Sequence, residues 1–79
     1  MSFISFFWLL QPLLRDGIRM QTTDIAHRLF PNSIIIKRVG NKEYYHNLER
    51  DKVNEMLNEL HKNGMIQKEK FRGQWLWFF

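Results

Sequence analysis

Apolar residues recur at helical spacing in the last third of the chain. Four of them stand at i, i+3, i+4 and i+7: Val53, Met56, Leu57 and Leu60. This spacing places them on one face of a helix over residues 48–62. Asn47 is suited to the N-cap of that helix, because its side-chain oxygen can accept a hydrogen bond from a free backbone N–H. The helix should end at Asn63 or Gly64, where left-handed backbone angles are easily adopted.

Two short runs follow this helix and predict a β-hairpin. Residues 65–71 and 74–79 flank the dipeptide Arg72-Gly73, which suits a two-residue turn. On the second strand, Trp75, Trp77 and Phe79 share one face, and Leu76 and Phe78 share the other. We expect one face to pack on the helices, while the other is exposed and available to a partner.

The first fourteen residues carry no charged side chain, and the pattern predicts a buried first helix. Pro12 should kink this helix, since proline removes one hydrogen bond and clashes with the preceding turn. Arg15-Asp16-Gly17 then closes it. The apolar run is shorter than the roughly 20 residues that cross a bilayer. No positive charge precedes it, so it does not resemble a signal peptide. We expect no membrane partner.

The next segment predicts a short strand and a second helix. Residues 18–20 alternate in polarity, and Thr22-Thr23-Asp24 has the composition of a helix start with a threonine cap. Pro31 should end this helix near Phe30. Its inward stripe consists of Ile25, Ala26 and Leu29.

Residues 32–46 are compatible with two structures. β-Branched and aromatic residues on both sides of Gly40-Asn41 favour a hairpin, in which Arg38 lies opposite Glu43. The alternative is a short helix over residues 33–39, with Ile36 and Val39 facing inward. We favour the hairpin.

Composition limits the function classes. The 79 residues suffice for one domain, and the absence of cysteine excludes disulfides and thiolate metal sites. Three histidines show no metal-ligand spacing, no nucleophile–base arrangement stands out, and no phosphate-binding loop is present. We therefore expect no catalytic residue, no metal, no cofactor and no enzyme activity.

Twelve Lys and Arg against eight Asp and Glu give a net charge of +4, which permits nucleic-acid binding without requiring it.

The order of helix, short strand, helix, insertion, helix and hairpin resembles winged helix-turn-helix domains. Residues 13–17 and 22–29 are similar to their first two helices, and residues 53–66 to the third helix and the entry to the wing. The resemblance implies an α+β class: one winged-helix domain over residues 1–79, with three helices, a C-terminal β-hairpin wing and an extra hairpin between helices 2 and 3. The insertion is longer than the usual turn of three or four residues, and the wing is short and aromatic.

This resemblance implies DNA binding, with the third helix in the major groove and the wing on the DNA backbone. However, the face of the third helix opposite its apolar stripe carries Asp51, Glu55 and Glu59, which would repel phosphates. To one side runs a row of side chains that includes types able to read base edges: Arg50, Asn54, Asn58 and His61. The basic residues concentrate in the two hairpins instead. The candidate nucleic-acid-binding residues are Lys37, Arg38, Lys42, Arg50, Asn54, Lys68, Lys70 and Arg72.

Two functional hypotheses follow. The first is a small DNA-binding regulator or accessory factor of a prokaryotic or phage type, cytoplasmic or nucleoid-associated, contacting double-stranded DNA mainly through basic hairpins. It would dimerise through the apolar N-terminal helix or the C-terminal strand. The second is a protein-interaction module, an inhibitor or adaptor, with RNA or single-strand binding ranked below both. The candidate interface residues of the second hypothesis are Asp51, Glu55, Glu59, Trp75, Trp77 and Phe79.

Overall fold

The core lies where one face of each helix meets the C-terminal strands. The computed structural model describes residues 1–79. Ten buried apolar side chains form one cluster: Phe6, Leu10, Leu14, Ile25, Ala26, Val53, Leu57, Leu60, Ile66 and Trp77. The predicted stripe of the third helix is confirmed, since Val53, Leu57 and Leu60 are fully buried and Met56 packs against the cluster.

Three α-helices and two antiparallel hairpins form an α+β fold. The helices are α1 (Phe3–Leu10), α2 (Thr22–Leu29) and α3 (Arg50–Lys62), and single 3-10 turns occupy Arg15–Gly17 and Pro31–Ser33. The strands are β1 (Ile34–Val39), β2 (Lys42–Asn47), β3 (Gln67–Phe71) and β4 (Gln74–Phe78). We call β1–β2 the arm and β3–β4 the C-terminal hairpin.

Of the two structures predicted for residues 32–46, the hairpin is the one that forms, and it is the arm. β1 pairs with β2 in the predicted register, and Arg38 lies opposite Glu43. The alternative helix over residues 33–39 is wrong, because β1 begins at Ile34. All eleven residues from 35 to 45 are exposed, so the arm contributes nothing to the core beyond its base.

The predicted strand over residues 18–20 is reduced to a single bridge. The Met20 N–H donates to the Trp77 carbonyl at 3.1 Å, and the Trp77 N–H donates to the Met20 carbonyl at 2.8 Å. As a result, β4 has a hydrogen-bonded neighbour on both edges, β3 on one side and Met20 on the other.

Pro12 ends α1 rather than kinking it, which corrects the sequence-based expectation. Proline has no N–H to donate to the Trp8 carbonyl, and that carbonyl instead accepts from Gln11 N–H at 3.2 Å. The chain then makes one more turn, in which the N–H groups of Leu13 and Leu14 both donate to the Leu10 carbonyl. The helix is therefore only eight residues long.

The two predicted N-caps are also wrong. Gln21 stands at the N-cap of α2 and Glu49 at that of α3, and neither makes a side-chain capping bond. Asn47 instead ends β2 and is fully buried. Its Oδ1 accepts from Glu49 N–H at 2.9 Å, and its Nδ2 donates to the Ala26 and Phe30 carbonyls at 3.1 and 3.0 Å. One amide thus joins the end of α2, the base of the arm and the entry to α3.

The longest helix has 13 residues. No helix of the structure has the length and apolar character needed to cross a bilayer.

Candidate nucleic-acid interface

The C-terminal hairpin has two chemically different faces. Lys68 pairs with Trp77 and Lys70 with Trp75, so these four side chains share the face that turns toward the helices. Trp77 lies at the base of that face and is 1% exposed, while Trp75 lies nearer the turn and is 46% exposed. Trp77 is therefore part of the core, which removes it from the predicted protein interface. Phe79 also packs against the core, edge to face with Phe7.

The exposed indole of Trp75 contacts the ammonium groups of two lysines. The Lys68 Nζ lies 4.7 Å from the Trp75 ring centroid, and the Lys70 Nζ lies 5.6 Å from it. The Lys68 Nζ also donates to Asn58 Oδ1 at 3.4 Å, which draws it toward α3. Cation–π contacts at exposed sites contribute about 0.5–1 kcal/mol each, enough to bias where these ammonium groups rest. Lys68 therefore favours a position beside α3, and Lys70 favours one over the exposed indole.

The turn of this hairpin presents a third cation. Arg72 and Gly73 have φ angles of 51° and 79°, the pattern of the type I′ turn that matches the twist of the flanking strands. Gly73 adopts such angles without cost, but Arg72 carries a Cβ and is strained there. Its guanidinium carbon lies 5.2 Å from the centroid of Phe71, at the tip of the hairpin.

A polar cleft of about 200 Å³ lies between this turn and the first turns of α2 and α3. Trp75 is its single hydrophobic lining residue, and no carboxylate lines it. The lining residues are Gln21, Thr22, Thr23, Arg50, Asn54, Gly73, Gln74 and Trp75. Within it, the Arg50 Nε donates to Thr23 Oγ1 at 3.1 Å, which points the guanidinium along the start of α2.

A chain of hydrogen bonds fixes the floor of the cleft. The Trp77 Nε1 donates to Thr22 Oγ1 at 2.9 Å, and the Thr22 hydroxyl donates to Asn54 Oδ1 at 3.2 Å. Thr22 is 6% exposed, so these partners replace water for a buried hydroxyl and a buried indole N–H. The chain connects β4, α2 and α3, and thereby holds the C-terminal hairpin at a set distance from both helices.

The row predicted to read bases turns toward the C-terminal hairpin. Asn54 bonds Thr22, Asn58 bonds the Asn54 carbonyl and Lys68, and His61 Nδ1 lies 3.1 Å from the Ile66 carbonyl. These side chains are engaged within the protein. Arg50, whose side chain is 43% exposed, is the member of the row with a charge that reaches the cleft.

The predicted acidic row lies on the outward face of α3. Asp51, Glu55 and Glu59 are all exposed, and the Asp51 side chain is 99% exposed. The Asp51 Oδ1 lies 3.5 Å from an Arg50 nitrogen, a separation at which exposed pairs contribute little. The outward face of α3 thus carries these three carboxylates together with Lys52 and Lys62, while the side toward the C-terminal hairpin carries Arg50.

The arm carries the remaining predicted basic residues on a separate element. Arg38 forms an ion pair with Glu43 on one face, so its charge is balanced locally. Lys37 and Lys42 lie on the opposite face with Tyr44. The structure therefore gathers Arg50, Asn54, Lys68 and Lys70 around the cleft and leaves Lys37, Arg38 and Lys42 on the arm.

Sequence reasoning missed Thr22 and Thr23 as parts of the site, because it assigned these threonines to a helix cap. The sequence shows two adjacent hydroxyls at Thr22 and Thr23. Only the folded structure reveals that they bond to Asn54 and Arg50. No family model, curated protein or solved structure matches this chain.

Proposed function

We propose that this protein is a winged-helix domain that binds double-stranded DNA through its C-terminal hairpin and the neighbouring cleft. Support for the fold comes from the element order and from the single bridge of Met20 to β4, which takes the place of the short strand between α1 and α2. The arm is then an insertion between the second and third helices. Fold alone does not establish function, so DNA binding is inferred from the chemistry of the cleft.

One observation carries the proposal: Lys68 and Lys70 rest on Trp75 beside a cleft that contains Arg50 and no acid. Phosphate contacts by Lys and Arg supply most of the affinity for duplex DNA. Glu55 and Glu59 face away from this site, and Asp51 lies at its edge, 3.5 Å from an Arg50 nitrogen. The duplex therefore lies along the C-terminal hairpin and the cleft, not against the outward face of α3. This differs from docking the third helix squarely in the major groove.

A salt titration tests the proposal. Each phosphate contact contributes about −0.9 to the slope of log K against log salt, so three or four cations at the site give a slope near −3. The substitutions Lys68→Ala, Lys70→Ala and Arg72→Ala should each make that slope less steep by about one unit. Fluorescence anisotropy with a labelled mixed-sequence duplex measures it.

The matched control removes the same charge from the outward face of α3. Lys52 and Lys62 are both exposed there, so Lys52→Ala and Lys62→Ala should leave the slope unchanged. Absence of duplex binding at low salt by a folded protein would overturn the proposal. Equal effects of both sets of substitutions would also overturn it, because they would show a diffuse attraction rather than a site.

The exposed carboxylates of α3 favour a second candidate, a protein-interaction module. Asp51, Glu55 and Glu59 form a continuous acidic row with no cation resting on Glu55 or Glu59. A basic protein surface is the partner that this row fits. Glu55→Lys distinguishes the two candidates: it should abolish capture of such a partner under the second, and leave the DNA salt slope intact under the first.

A further inference from the structure

The cleft combines one aromatic surface with polar side chains. Trp75 is exposed and is the single hydrophobic residue that lines it. Lys68 and Lys70 contact this indole, but neither lysine lines the cleft, so part of the indole faces the cleft without a lysine over it. An exposed aromatic ring beside cations is the surface on which nucleic-acid bases stack.

Three amide side chains line the same cleft: Gln21, Asn54 and Gln74. The Asn54 Oδ1 accepts from the Thr22 hydroxyl, and this bond leaves the Nδ2 donor of the amide free. Gln74 is exposed at the start of β4. Amides carry both donors and acceptors, so they can bond to the edge of a base. Arg50 adds a cation for the phosphate of the same nucleotide.

The size of the cleft suits a single base. Its volume is about 200 Å³, which is below the roughly 300–1,000 Å³ of pockets that enclose drug-sized molecules. A base inside a continuous duplex is stacked between its neighbours, and a protein reaches its faces only when the base leaves the stack. The base that enters the cleft and meets the indole must therefore lie outside the stack.

The strength of stacking decides which DNA supplies such a base. Stacking on one aromatic side chain strengthens binding by about 5- to 150-fold per base. Extruding a paired base costs free energy of similar size, and the cost is least for a base that is already unpaired. One indole therefore does not offset the extrusion of a paired base, but it strengthens binding to an unpaired one.

We propose that the cleft binds an unpaired nucleotide within duplex DNA. The base stacks on Trp75, the amides of the cleft contact its edge, and Lys68, Lys70 and Arg50 contact the neighbouring phosphates. This inference rests on the proposed binding of duplex DNA and adds a preference for DNA in which one base is unpaired.

Two duplexes that differ in one base test the proposal. One carries a single bulged adenine, and the other carries a bulged abasic nucleotide at the same position. Their phosphates are the same, so the salt-dependent attraction is the same for both. The protein should bind the adenine bulge at least about fivefold more tightly, because only that DNA offers a base to Trp75. Fluorescence anisotropy measures both dissociation constants.

Substitutions at Trp75 assign the preference to its ring. Trp75→Ala should bring the ratio of the two dissociation constants to about one, and Trp75→Phe should preserve most of it, because phenylalanine keeps an aromatic ring. Displacement of Lys68 or Lys70 in these variants affects both DNAs alike. Urea titration should show that both variants remain folded, since the Trp75 ring is exposed. Trp8→Ala is the control: Trp8 is exposed on α1 and does not line the cleft, so the ratio should stay unchanged.

The outcomes separate this inference from the proposed function. A ratio of about one for the unsubstituted protein overturns the inference, while a salt slope of about −3 in the same experiment leaves duplex binding in place. A preference for the adenine bulge that persists in Trp75→Ala, or one that is lost in Trp8→Ala, also overturns the inference. Tighter binding to a single strand than to the bulged duplex overturns it by assigning the cleft to single strands. Absence of binding to every duplex overturns both proposals.

Discussion

The arm and the C-terminal hairpin are built alike but are held in different ways. Each is an antiparallel pair with a two-residue turn, and each combines basic and aromatic residues. In the C-terminal hairpin, Trp77 and the adjoining Ile66 are buried in the core. In the arm, every residue from 35 to 45 is exposed, and the buried anchor is the amide of Asn47 at its base.

This difference shows that strand pairing alone does not make a hairpin part of a core. An isolated two-stranded hairpin is marginally stable in water, so each pair needs support from the body of the protein. Trp77 supplies that support through apolar burial, and Asn47 supplies it through hydrogen bonds to α2 and to the start of α3. Substitutions at these anchors should therefore have large and separable effects.

The largest effect is expected for Trp77→Ala. Truncating a buried large aromatic costs about 3–5 kcal/mol, and a domain of this size has only about 4–12 kcal/mol of total stability. The variant should be largely unfolded or close to it in urea titrations. Tyr45→Ala on the arm should cost less than about 0.5 kcal/mol, because that ring is exposed. Equal losses would contradict the contrast between the two hairpins.

The second-largest loss of stability is expected for Asn47→Ala. It leaves the Glu49 N–H without its acceptor, while the Ala26 and Phe30 carbonyls lose the amide but keep the Phe30 and Ser33 N–H donors, at a cost of about 1–3 kcal/mol. The arm amides should also exchange with solvent faster, while those of the C-terminal hairpin follow global unfolding. Asn32→Ala is the control, since Asn32 is exposed and should change stability by less than about 0.5 kcal/mol. Arm amides that keep their protection in the Asn47 variant would show that another contact anchors the arm.

Thr22→Val tests the polar connection of the C-terminal hairpin. Valine preserves the shape but leaves the Trp77 indole N–H without its acceptor, which should lower the free energy of unfolding by about 1–2 kcal/mol. Thr23→Val removes an acceptor from the partly exposed Arg50, which water can replace, so a change below about 0.5 kcal/mol is expected. Chemical denaturation of both variants measures the difference, and a neutral Thr22 variant would contradict the account.

Arg72→Asn has the smallest expected effect on stability. It separates the contribution of the Arg72 charge to DNA binding from any effect on folding. Asparagine tolerates left-handed angles better than arginine, and Asn-Gly favours type I′ turns, so stability should rise by up to about 1 kcal/mol. The DNA salt slope should nevertheless become less steep by about one unit, because a cation is lost. Weaker binding by a more stable protein cannot be attributed to unfolding. An unchanged slope would remove Arg72 from the interface.

Local patterns were sufficient to predict much of the fold. The spacing of Val53, Leu57 and Leu60 predicted α3 and its buried face, and the Gly40-Asn41 and Arg72-Gly73 turns predicted both hairpins and the register of the arm. These features depend on neighbours in sequence, where periodicity and turn chemistry are visible.

The remaining features depend on contacts between distant segments. Asn47 looked like a helix cap, but its partners Ala26 and Phe30 lie in another helix and the turn that follows it. The side of α3 that carries Arg50 and Asn54 could not be identified as the cleft until the C-terminal hairpin was placed against it. Propensities do not encode such placements, because several packings satisfy the same local pattern.

A backbone NMR titration with a mixed-sequence duplex at low salt tests the central claim most directly. The three tryptophan indole signals report on separate places: Trp8 on α1, Trp75 at the cleft and Trp77 in the core. We expect shifts to concentrate at Trp75, in residues 68–74 and at Arg50, while Trp8, Glu55 and Glu59 stay unperturbed. Shifts centred on Glu55 and Glu59, shifts confined to the arm, or no shifts at all would contradict DNA binding at the cleft.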